Sequence, residues 1–458
     1  MLHSLKNYTR DKLVAYLLSL ATSSSDDTLI TMTRLMEMIP KKDYYKQRIR
    51  WIRELIQQKH PSIEFPRRIL KELHPNQRDK WITNLAVNHL LAGTNKRKEW
   101  ADQNGFYPPS TVVISVTMRC NLSCYGCYAG DYNKSLELTL DEIDGVLTQM
   151  KEMGIYFAVI SGGEPFFMQG IFELFQKHDD MAFLVFTHGG LIDEALVQQL
   201  IEVGNVMPAF SLEGYREETD ERRGTGHFDR VLNAMRLLRE NGLSFCGSFT
   251  HSSKNTAIIT DPAYIDFLLE QGVFALWLFS YVPVGREPSP DLMPSPEQRD
   301  QLRRATVQFR ATKPMLFVDF WNDGPIISGC IAGGRKYIHI NANGDIEPCV
   351  FCHFAADNIR RTSLKDALGS RLFRTIREKQ GEHDNLLRPC MLIDHPDYGR
   401  EFFQMEGVYP THEGAEEIFT DLADAMDRYS SDYGKIADQA WEEEFREHPR
   451  QTGSAVRR

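Results

Sequence analysis

Long apolar runs are missing from this sequence of 458 residues. No stretch approaches the ~18 consecutive apolar residues that a membrane-spanning helix requires, so we predict no such helix. The start of the sequence faintly resembles a secretion signal, because Lys6 to Lys12 precede the apolar run Leu13–Ala21. That run is short and suits an amphipathic helix, which we favour over a secretion signal.

Cysteine is scarce as well, with eight residues in the whole chain. Apart from Cys246, the cysteines fall into two groups. Disulfide frameworks belong to small secreted domains, whereas grouped cysteines in a chain of this length favour metal binding. We therefore expect a reducing, cytoplasmic location, and we expect Cys246 to be a buried core thiol.

The chain has fewer positive than negative charges, with a net charge of −10, but the charges are unevenly distributed along the sequence. Residues 1–100 contain 19 lysines and arginines against 10 aspartates and glutamates. A basic module on an acidic body can meet an anionic partner such as a membrane surface. A solvated helical surface explains the same pattern and is the interpretation that we favour. We expect no nucleic-acid partner.

The first group of cysteines, Cys120, Cys124 and Cys127, follows an alternating apolar run over 111–117. β-Branched residues in such a run favour a strand. Three thiolates in a loop after a strand can hold three irons of a cubane iron–sulfur cluster and leave the fourth iron open for a ligand. Half of a zinc site or a redox pair would also use Cys-x-x-Cys, but zinc takes four ligands and a redox pair needs no third cysteine.

Around this loop, β-type and helical patterns alternate from residue 111 to about 310, which predicts a parallel sheet with crossover helices. Thr139 and Glu142 form a capping-box pattern at the start of one helix, and Gly154 ends that helix. We predict strands over 111–117, 156–161, 182–187, 206–211, 245–250 and 275–282.

Both ends of the chain show helical spacing without a strand pattern. Prolines at positions 61, 66 and 75 separate the N-terminal segments, and the chain after Cys390 is helical and acidic. We predict helices over 29–39, 45–56, 81–91, 415–429 and 436–445.

The second group of cysteines comprises Cys330, Cys349, Cys352 and Cys390. A predicted β-hairpin, with Tyr337–Ile340 as its first strand and Asn343-Gly344 as its turn, can bring Cys330 close to Cys349. Four thiolates saturate one [4Fe–4S] cluster. Four cysteines suit zinc as well, and His353 could replace one of them as a ligand.

The chain contains Cys120-x3-Cys124-x2-Cys127 after a strand, followed by Ser161-Gly-Gly-Glu-Pro165. These two motifs, in this order, resemble those of the radical S-adenosylmethionine (radical SAM) superfamily. The likeness extends over roughly residues 110–405.

One departure from the family pattern concerns the adenine of S-adenosylmethionine (AdoMet). The family often has an aromatic residue immediately before the third cysteine, and this chain has Gly126 there. Tyr125 and Tyr128 flank the glycine, and either ring could pack near the adenine.

The resemblance implies an α/β fold: a partial (β/α)6 radical SAM barrel with an N-terminal all-α domain, a small SPASM/twitch-like iron–sulfur domain and a helical tail. We place the helical domain at 1–105 and the radical SAM core at 106–312. The auxiliary domain then covers 313–405, and an acidic helical extension covers 406–458. Ligands of parallel α/β folds bind at the carboxyl ends of the strands, where all of these motifs fall.

The resemblance also assigns the first ligands at those strand ends. Cys120, Cys124 and Cys127 would hold a [4Fe–4S] cluster with an open iron. The next turn would hold the amino group of AdoMet, because glycines allow close approach and a carboxylate accepts from an ammonium group. The residues of this turn are Gly162, Gly163, Glu164 and Pro165.

Further contacts follow from the later strands. Ser211 and Glu213 look like the ribose contact of the family, and Arg223 like its partner for the AdoMet carboxylate, with Arg222 as the alternative.

Two strand ends carry the remaining assignments. Thr187 ends the third strand, where His188 replaces the usual asparagine in what we interpret as a turn. The strip after the sixth strand resembles the backbone that borders the adenine, and its assigned residues are Val282 and Gly285. We expect Asn255 to lie near this site.

The spacing Cys-x13-Gly-x4-Cys from Cys330 to Cys349 resembles the SPASM/twitch auxiliary domain of the same superfamily. The longer cysteine series of SPASM members is incomplete in this chain. The resemblance therefore implies one auxiliary [4Fe–4S] cluster on the second cysteine group, and the cofactors implied are two [4Fe–4S] clusters and AdoMet.

The implied function is an oxidoreductase-type radical SAM enzyme. It would cleave AdoMet reductively to a 5′-deoxyadenosyl radical, abstract hydrogen from a substrate and pass the remaining electron to the auxiliary cluster. A noncatalytic iron–sulfur carrier or sensor is the alternative, but such a protein needs no AdoMet pocket.

The sequence leaves three substrate classes open: a small molecule, a lipid and a peptide. Residues 1–100 lack the strand–turn–strand pattern of the small winged-helix peptide-recognition module found in many peptide-modifying members. An external electron donor such as flavodoxin or ferredoxin is expected.

Overall fold

The structure, a computed structural model, describes residues 25–38 and 43–445. The predicted helix over Leu13–Ala21 lies outside these ranges. No helix within them is both long enough and apolar enough to cross a bilayer.

The N-terminal region is helical, as the sequence predicts. Pro66 does not separate two helices, because it lies in the first turn of Glu64–Glu72, where the backbone N–H has no helical partner. The predicted helix over 81–91 is corrected to a π-helical segment, Ile82–Ala92, set between two α-helices. The α-helices are Asp26–Glu37, Asp43–Gln57, Glu64–Glu72, Pro75–Trp81 and Gly93–Asn104.

These helices dock against the amino ends of the barrel strands through buried polar side chains. The Gln77 amide is fully buried; it donates to the Val206 carbonyl at 2.9 Å and accepts from the Ser244 N–H at 2.7 Å. Arg97 donates to the Gly154 carbonyl at 2.7 Å. Part of the basic surplus of this region therefore satisfies backbone carbonyls of the barrel.

One ten-stranded sheet forms the centre of the molecule, in the order β11-β9-β8-β1-β2-β3-β4-β5-β6-β7. Neighbours from β8 through β7 in this order are parallel. Apolar side chains on both faces of these strands form the core, which is typical of a sheet covered on both sides. The bounds are β1 Thr111–Thr117, β2 Phe157–Gly162, β3 Ala182–Thr187, β4 Val206–Leu212, β5 Cys246–His251, β6 Ala275–Ser280, β7 Leu316–Asp319, β8 Tyr337–Ile340, β9 Asp345–Glu347 and β11 Asp357–Asn358.

Helices connect the parallel strands, which confirms the α/β prediction. The capping box exists as predicted, since Thr139 Oγ1 accepts from the Glu142 N–H at 3.2 Å and Glu142 Oε2 accepts from the Thr139 N–H at 2.8 Å. The connecting helices are Leu140–Glu152, Ile171–Lys177, Glu194–Val203, Arg216–Arg223, His227–Glu240, Thr256–Ile259, Pro262–Gln271 and Pro296–Thr312.

Two strands differ from the prediction. The sixth strand ends at Ser280 rather than 282; Pro283, which follows shortly, has no N–H for a sheet hydrogen bond. A seventh strand, β7, continues the parallel sheet beyond the six predicted, with Leu276 opposite Phe317.

The auxiliary region is built onto the barrel sheet. The predicted hairpin is present as β8 and β9, and β8 pairs in parallel with β1, so the two cysteine groups share one sheet. A separate two-stranded sheet joins β10, Phe354–Ala355, to β12, Tyr409–Pro410. The helices of this region are Gly324–Ile327, Leu364–Leu368, Arg371–Lys379 and Pro396–Phe403.

The C-terminal region contains one long helix, Ala423–Glu444, where the sequence predicts two. Residues in the gap between the two predicted helices, Ser430, Tyr433 and Gly434, are buried, so the segment packs as part of the helix. A β-carbon at residue 434 would lie 3.2 Å from Arg388 Cζ, so the glycine allows this close contact.

Candidate active site

A cavity of about 470 Å³, called here the barrel cavity, lies inside the open barrel. Its lining joins the first cysteine loop, the carboxyl ends of β2 to β5 and part of the auxiliary region. The predicted site residues that line it are Cys120, Cys124, Cys127, Tyr128, Gly162, Gly163, Thr187, Ser211, Arg223 and Val282. Those that lie outside its lining are Tyr125, Glu164, Pro165, Glu213 and Gly285.

Two arginines fix the backbone of the first cysteine loop. Arg222 donates to the carbonyls of Tyr125 and Gly126, each at 3.2 Å. Arg286 donates from its side chain to the Cys124 carbonyl at 3.2 Å. These bonds hold the loop backbone while the three free thiols of the loop face the barrel cavity.

Of the two tyrosines beside Gly126, Tyr128 is the one that reaches the barrel cavity. Its hydroxyl lies 2.8 Å from Ser161 Oγ, and its ring packs edge-on against Phe351. Tyr125 instead lies beneath Lys254, whose ammonium is 4.9 Å from the ring centre.

The two glycines after β2 allow the turn to approach the first strand. Gly162 has φ +132, and a β-carbon there would collide with the Thr117 carbonyl oxygen. A β-carbon on Gly163 would collide with the Arg119 carbonyl oxygen. Because no side chain fits at either position, the backbone of the turn forms part of the cavity wall.

Glu164 lies behind this turn and outside the lining of the barrel cavity, and the contact that we predict between its carboxylate and an AdoMet ammonium stays a prediction. Thr187 Oγ1 lies 2.8 and 2.9 Å from its two carboxylate oxygens, and the N–H groups of His188 and Phe166 also donate to them. The side chain is fully buried, and burial raises its pKa to about 7. Glu164 therefore ties the end of β2 to the end of β3.

His188 takes part in the same arrangement and is more than a turn residue. Its Nδ1 accepts from the Gly190 N–H at 2.9 Å, which leaves the proton on Nε2. Nε2 is buried and lies 3.3 Å from Glu164 Oε2, while the residue as a whole is part of the cavity lining. Burial lowers the pKa of His188 to about 4, so the imidazole is neutral at pH 7.

Two arginines converge on one oxygen of Glu213. Arg222 Nη1 lies 2.7 Å and Arg223 Nη2 2.6 Å from Glu213 Oε1, whereas the buried Oε2 has no hydrogen-bond partner among the described residues. Arg222 also serves the cysteine loop, but Arg223 Nη1 has no partner in the described part of the chain. An unsatisfied carboxylate oxygen and a free guanidinium edge fit a ribose hydroxyl and a ligand carboxylate.

Asn255 braces this region from the next strand. Its side-chain amide donates to the carbonyls of Glu213 and Thr250, at 3.0 and 2.9 Å. It fixes the end of β4 to the end of β5, and it does not line the barrel cavity.

The second cysteine group surrounds a void of about 40 Å³ next to the barrel cavity. The Tyr337 hydroxyl oxygen lies 2.7 Å from Cys349 Sγ, within hydrogen-bond distance. Burial raises the pKa of the Cys330 thiol to about 12. Thiolates in this position need a compensating positive charge, which an iron–sulfur centre supplies. The void is lined by all four thiols: Cys330, Cys349, Cys352 and Cys390.

One question is whether a histidine belongs to this donor set. His353, the alternative ligand, bonds through Nδ1 to His412 at 2.7 Å and through Nε2 to the Val350 carbonyl at 3.2 Å. Both of its nitrogens are engaged, so His353 is not free to replace one of the four cysteines.

Cys246 is buried in β5, as expected of a core thiol, with Met207 Sδ 3.2 Å from its sulfur. Among the residues that line the barrel cavity and that sequence reasoning did not assign to the site are Tyr281, Asp319 and Lys336. Each lies next to a strand end without a motif of its own, and only the closure of the sheet brings them together.

Family models match two parts of the chain. The radical SAM superfamily matches residues 114–251, and an iron–sulfur cluster-binding domain named SPASM matches residues 330–391. The first match includes the first cysteine loop and the glycine turn, and the second includes the four auxiliary thiols.

Several characterised proteins are similar in sequence. The Fe-coproporphyrin III synthase of Methanosarcina barkeri is 33% identical over 180 residues, which span 38% of this chain and 45% of that protein. The AdoMet-dependent heme synthase of the same organism is 26% identical over 302 residues, 59% of this chain and 86% of that protein. The PqqA peptide cyclase of Gluconobacter oxydans is 28% identical over 254 residues, 53% of this chain and 70% of that protein.

The fold is similar to that of SuiB from Streptococcus suis, in its crystal structure bound to the precursor peptide SuiA. The TM-score is 0.53 at 19% sequence identity, over 66% of this chain and 75% of that chain. Three observations point to the same family. The two family models match in this order, the barrel strands are parallel, and each matched part contains one of the two cysteine groups. The chain belongs to the radical SAM superfamily and carries a SPASM iron–sulfur domain.

Proposed function

We propose that this chain is a radical SAM enzyme that removes hydrogen from a carboxyl-bearing or peptide substrate in a net oxidation. The observation that carries the proposal is the convergence of three free thiols, a glycine-lined turn and the free edge of Arg223 on one cavity. This donor set fits a cubane cluster with an open iron beside an amino-acid ligand.

When bound, the reduced cluster and AdoMet supply a 5′-deoxyadenosyl radical, a species that abstracts unactivated hydrogen. The chain's own residues orient and shield this chemistry. Cys120, Cys124 and Cys127 would hold the cluster, and Arg223 would receive the AdoMet carboxylate. Ser211 and the unpaired Glu213 Oε2 would receive the ribose hydroxyls.

The apolar wall of the barrel cavity keeps water from the reacting atoms. Aromatic side chains from three strands, from the residue after β7 and from the auxiliary region contribute to this wall, and a radical in a dry site is protected from side reactions. The wall includes Phe157, Phe186, Trp277, Phe279, Phe320 and Phe351.

The assignment of the chain as an oxidoreductase rests on the auxiliary region. Four thiols leave no iron open for substrate, which favours electron acceptance over substrate ligation. Ile331, Tyr337 and Phe351 line both the thiol void and the barrel cavity, so an electron would have a short path between them.

The substrate class has two sources of support. The PqqA peptide cyclase favours a peptide, while the heme synthase and the Fe-coproporphyrin III synthase favour a smaller substrate. A cytoplasmic location and an external donor such as flavodoxin or ferredoxin complete the proposal, because the first cluster needs a low-potential electron. Membrane contact has no support beyond the basic N-terminal region.

The proposal is tested on protein that is reconstituted anaerobically with iron and sulfide. With dithionite and AdoMet, we expect about eight irons per chain, four for each cubane cluster, together with 5′-deoxyadenosine. The matched control replaces Cys120, Cys124 and Cys127 by alanine, which should halve the iron and abolish 5′-deoxyadenosine. Full iron without 5′-deoxyadenosine, even with cell extract as substrate source, would overturn the enzyme assignment in favour of the carrier or sensor.

A further inference from the structure

The barrel cavity extends along the inside of the sheet from one end to the other. The cysteine loop lies beyond the carboxyl end of β1, while Ser110, Thr111 and Phe157 line the cavity at the amino ends of β1 and β2. At ~3.3 Å per residue, the seven residues of β1 separate these ends by about 20 Å. A substrate that reacts near the cysteine loop can therefore extend toward a second, distant set of contacts.

Lys336 lies at that distant end, just before β8. Its backbone is fixed, since its carbonyl accepts from the N–H groups of Ser110 and Thr111 at 2.8 and 3.1 Å, and its N–H donates to the Ile331 carbonyl at 2.8 Å. The side chain lines the barrel cavity. The sheet thus fixes the backbone from which the Lys336 side chain extends.

The ammonium of Lys336 has no counterion in the described part of the chain. Among residues 25–38 and 43–445, no carboxylate pairs with it and no acceptor bonds to it, whereas Lys254 and Lys313 pair with Glu221 and Asp266. A partly buried ammonium without a partner is costly, and an incoming anion removes that cost.

The surroundings of Lys336 are electropositive. Burial, Arg335 and Arg97 all lower its pKa. Both guanidiniums donate to backbone carbonyls and have no carboxylate partner in the described ranges, as Arg335 to Ile327 and Arg97 to Gly154 illustrate.

The acidic groups of the barrel cavity are engaged elsewhere. Asp323 pairs with Arg310 at 2.7 Å, and Asp319 accepts from the backbone and side-chain amides of Asn322. Neither carboxylate forms an ion pair with Lys336. The amino end of the cavity therefore offers one cation to a ligand, and the walls between it and the cysteine loop are aromatic.

We propose that the substrate carries a carboxylate that Lys336 receives at the amino end of the barrel cavity, with an apolar, ring-bearing body extending toward the cysteine loop. The inference rests on the proposed function, because it identifies the substrate end of the same cavity. One ammonium suits a singly charged carboxylate, whereas a phosphate would draw several donors. A small-molecule acid and a peptide carboxylate share this chemistry.

The test measures binding to the reconstituted protein with AdoMet by titration calorimetry. The ligands are phenylpropionate, phenylhexanoate and phenyloctanoate, each compared with its neutral primary amide, and the dipeptide Gly-Phe compared with its C-terminal amide. We expect at least one acid to bind about tenfold more tightly than its amide, as a charge-assisted bond provides. Preference limited to the phenylalkanoates would assign a small-molecule acid, and preference that includes Gly-Phe would assign a peptide terminus.

Variants identify the cation. Lys336→Met should abolish the acid preference and Lys336→Arg should retain it, while Lys365→Met, an exposed lysine outside the cavity, should leave it unchanged. Iron content and thermal unfolding of each variant check that it is folded. Equal binding of acid and amide, no binding of any acid, or an acid preference that persists in Lys336→Met would overturn the proposal.

The wild-type 5′-deoxyadenosine assay separates the two levels of inference. If the wild type forms no 5′-deoxyadenosine, the proposed function fails whatever the calorimetry gives. If it forms 5′-deoxyadenosine and the acids bind no better than the amides, only the assignment of Lys336 fails.

Discussion

The ring of Tyr281 lies directly against Gly126, so that a β-carbon on the glycine would be 2.6 Å from Tyr281 Cε2. Gly126 has φ +58, in the left-handed region that favours glycine. Tyr281 is buried and lines the barrel cavity. The aromatic ring beside the third cysteine thus comes from the end of β6 and not from residue 126, in a strip where the sequence suggested that side chains matter little.

Gly126→Ala should therefore disturb the first cluster. The added methyl group meets the Tyr281 ring, and the left-handed backbone adds a cost of about 1–3 kcal/mol. We expect fewer irons per chain and slower formation of 5′-deoxyadenosine, with partial recovery of iron when Tyr281→Leu is added. Gly145→Ala is the control, because nothing lies within 4 Å of a β-carbon there. Wild-type iron content in Gly126→Ala would contradict the prediction.

The two neighbouring arginines should have different effects. Arg223→Ala should weaken AdoMet binding about 10- to 100-fold, the loss expected for a charge-assisted bond, with little change in iron content. Arg222→Ala removes the donors to the Tyr125 and Gly126 carbonyls and should lower the iron content. Equilibrium binding of AdoMet and iron analysis measure the two effects. Equal loss of iron in both variants would remove the distinction.

The cysteine spacings and the strand pattern were sufficient to predict the barrel and both thiol sets, because these features are local in sequence. Glu164 shows what local reasoning cannot supply. Its motif predicts a ligand contact, and only the fold shows that Thr187, on the next strand, donates to both of its carboxylate oxygens. Gly434 is a similar case, since it lies inside a helix and packs against Arg388, a contact between residues distant in sequence.

Lys336 could not be identified from the sequence at all. Its relevance depends on the absence of a counterion and on the pairing of β8 with β1, both of which are properties of the folded sheet. The same holds for Asp319, which enters the barrel cavity only because β7 extends the sheet beyond the six predicted strands.

Asp319 should make stability depend on pH. Burial and the nearby charge of Asp323 raise its pKa from 3.8 to about 6. The folded form therefore binds the proton more tightly, so the stabilisation is complete below about pH 4 and is lost as the pH rises through 6. Two pKa units correspond to about 3 kcal/mol at most. Asp319→Asn should flatten the fall in melting temperature between pH 4.5 and 7.5.

Asp421→Asn is the control for that measurement, because Asp421 is exposed. Both variants are compared with the wild type by thermal unfolding across the same pH series. An unchanged slope in Asp319→Asn would mean that the carboxyl is charged throughout this range.

A buried ion pair fastens the auxiliary thiols to the barrel. Arg299, on the helix Pro296–Thr312, pairs with Asp394 at 2.6 Å, and both side chains are fully buried. The same carboxylate accepts from the Cys390 N–H at 2.9 Å. The ion pair therefore connects a barrel helix with Cys390 of the second cysteine group.

Arg299→Met should leave Asp394 charged and unpaired in the core, which costs about 3–5 kcal/mol in the free energy of unfolding. Since the Cys390 backbone depends on that carboxylate, iron should also fall toward the content of Cys390→Ser. Arg299→Met with Asp394→Leu should recover part of the stability but not the iron, because the Cys390 N–H still lacks its acceptor. Arg304→Met removes an exposed arginine from the same helix; because Asp300 keeps its pair with Arg303, stability should change by at most about 1 kcal/mol. If Arg299→Met kept both its iron and its melting temperature, the ion pair would have no part in holding the auxiliary site.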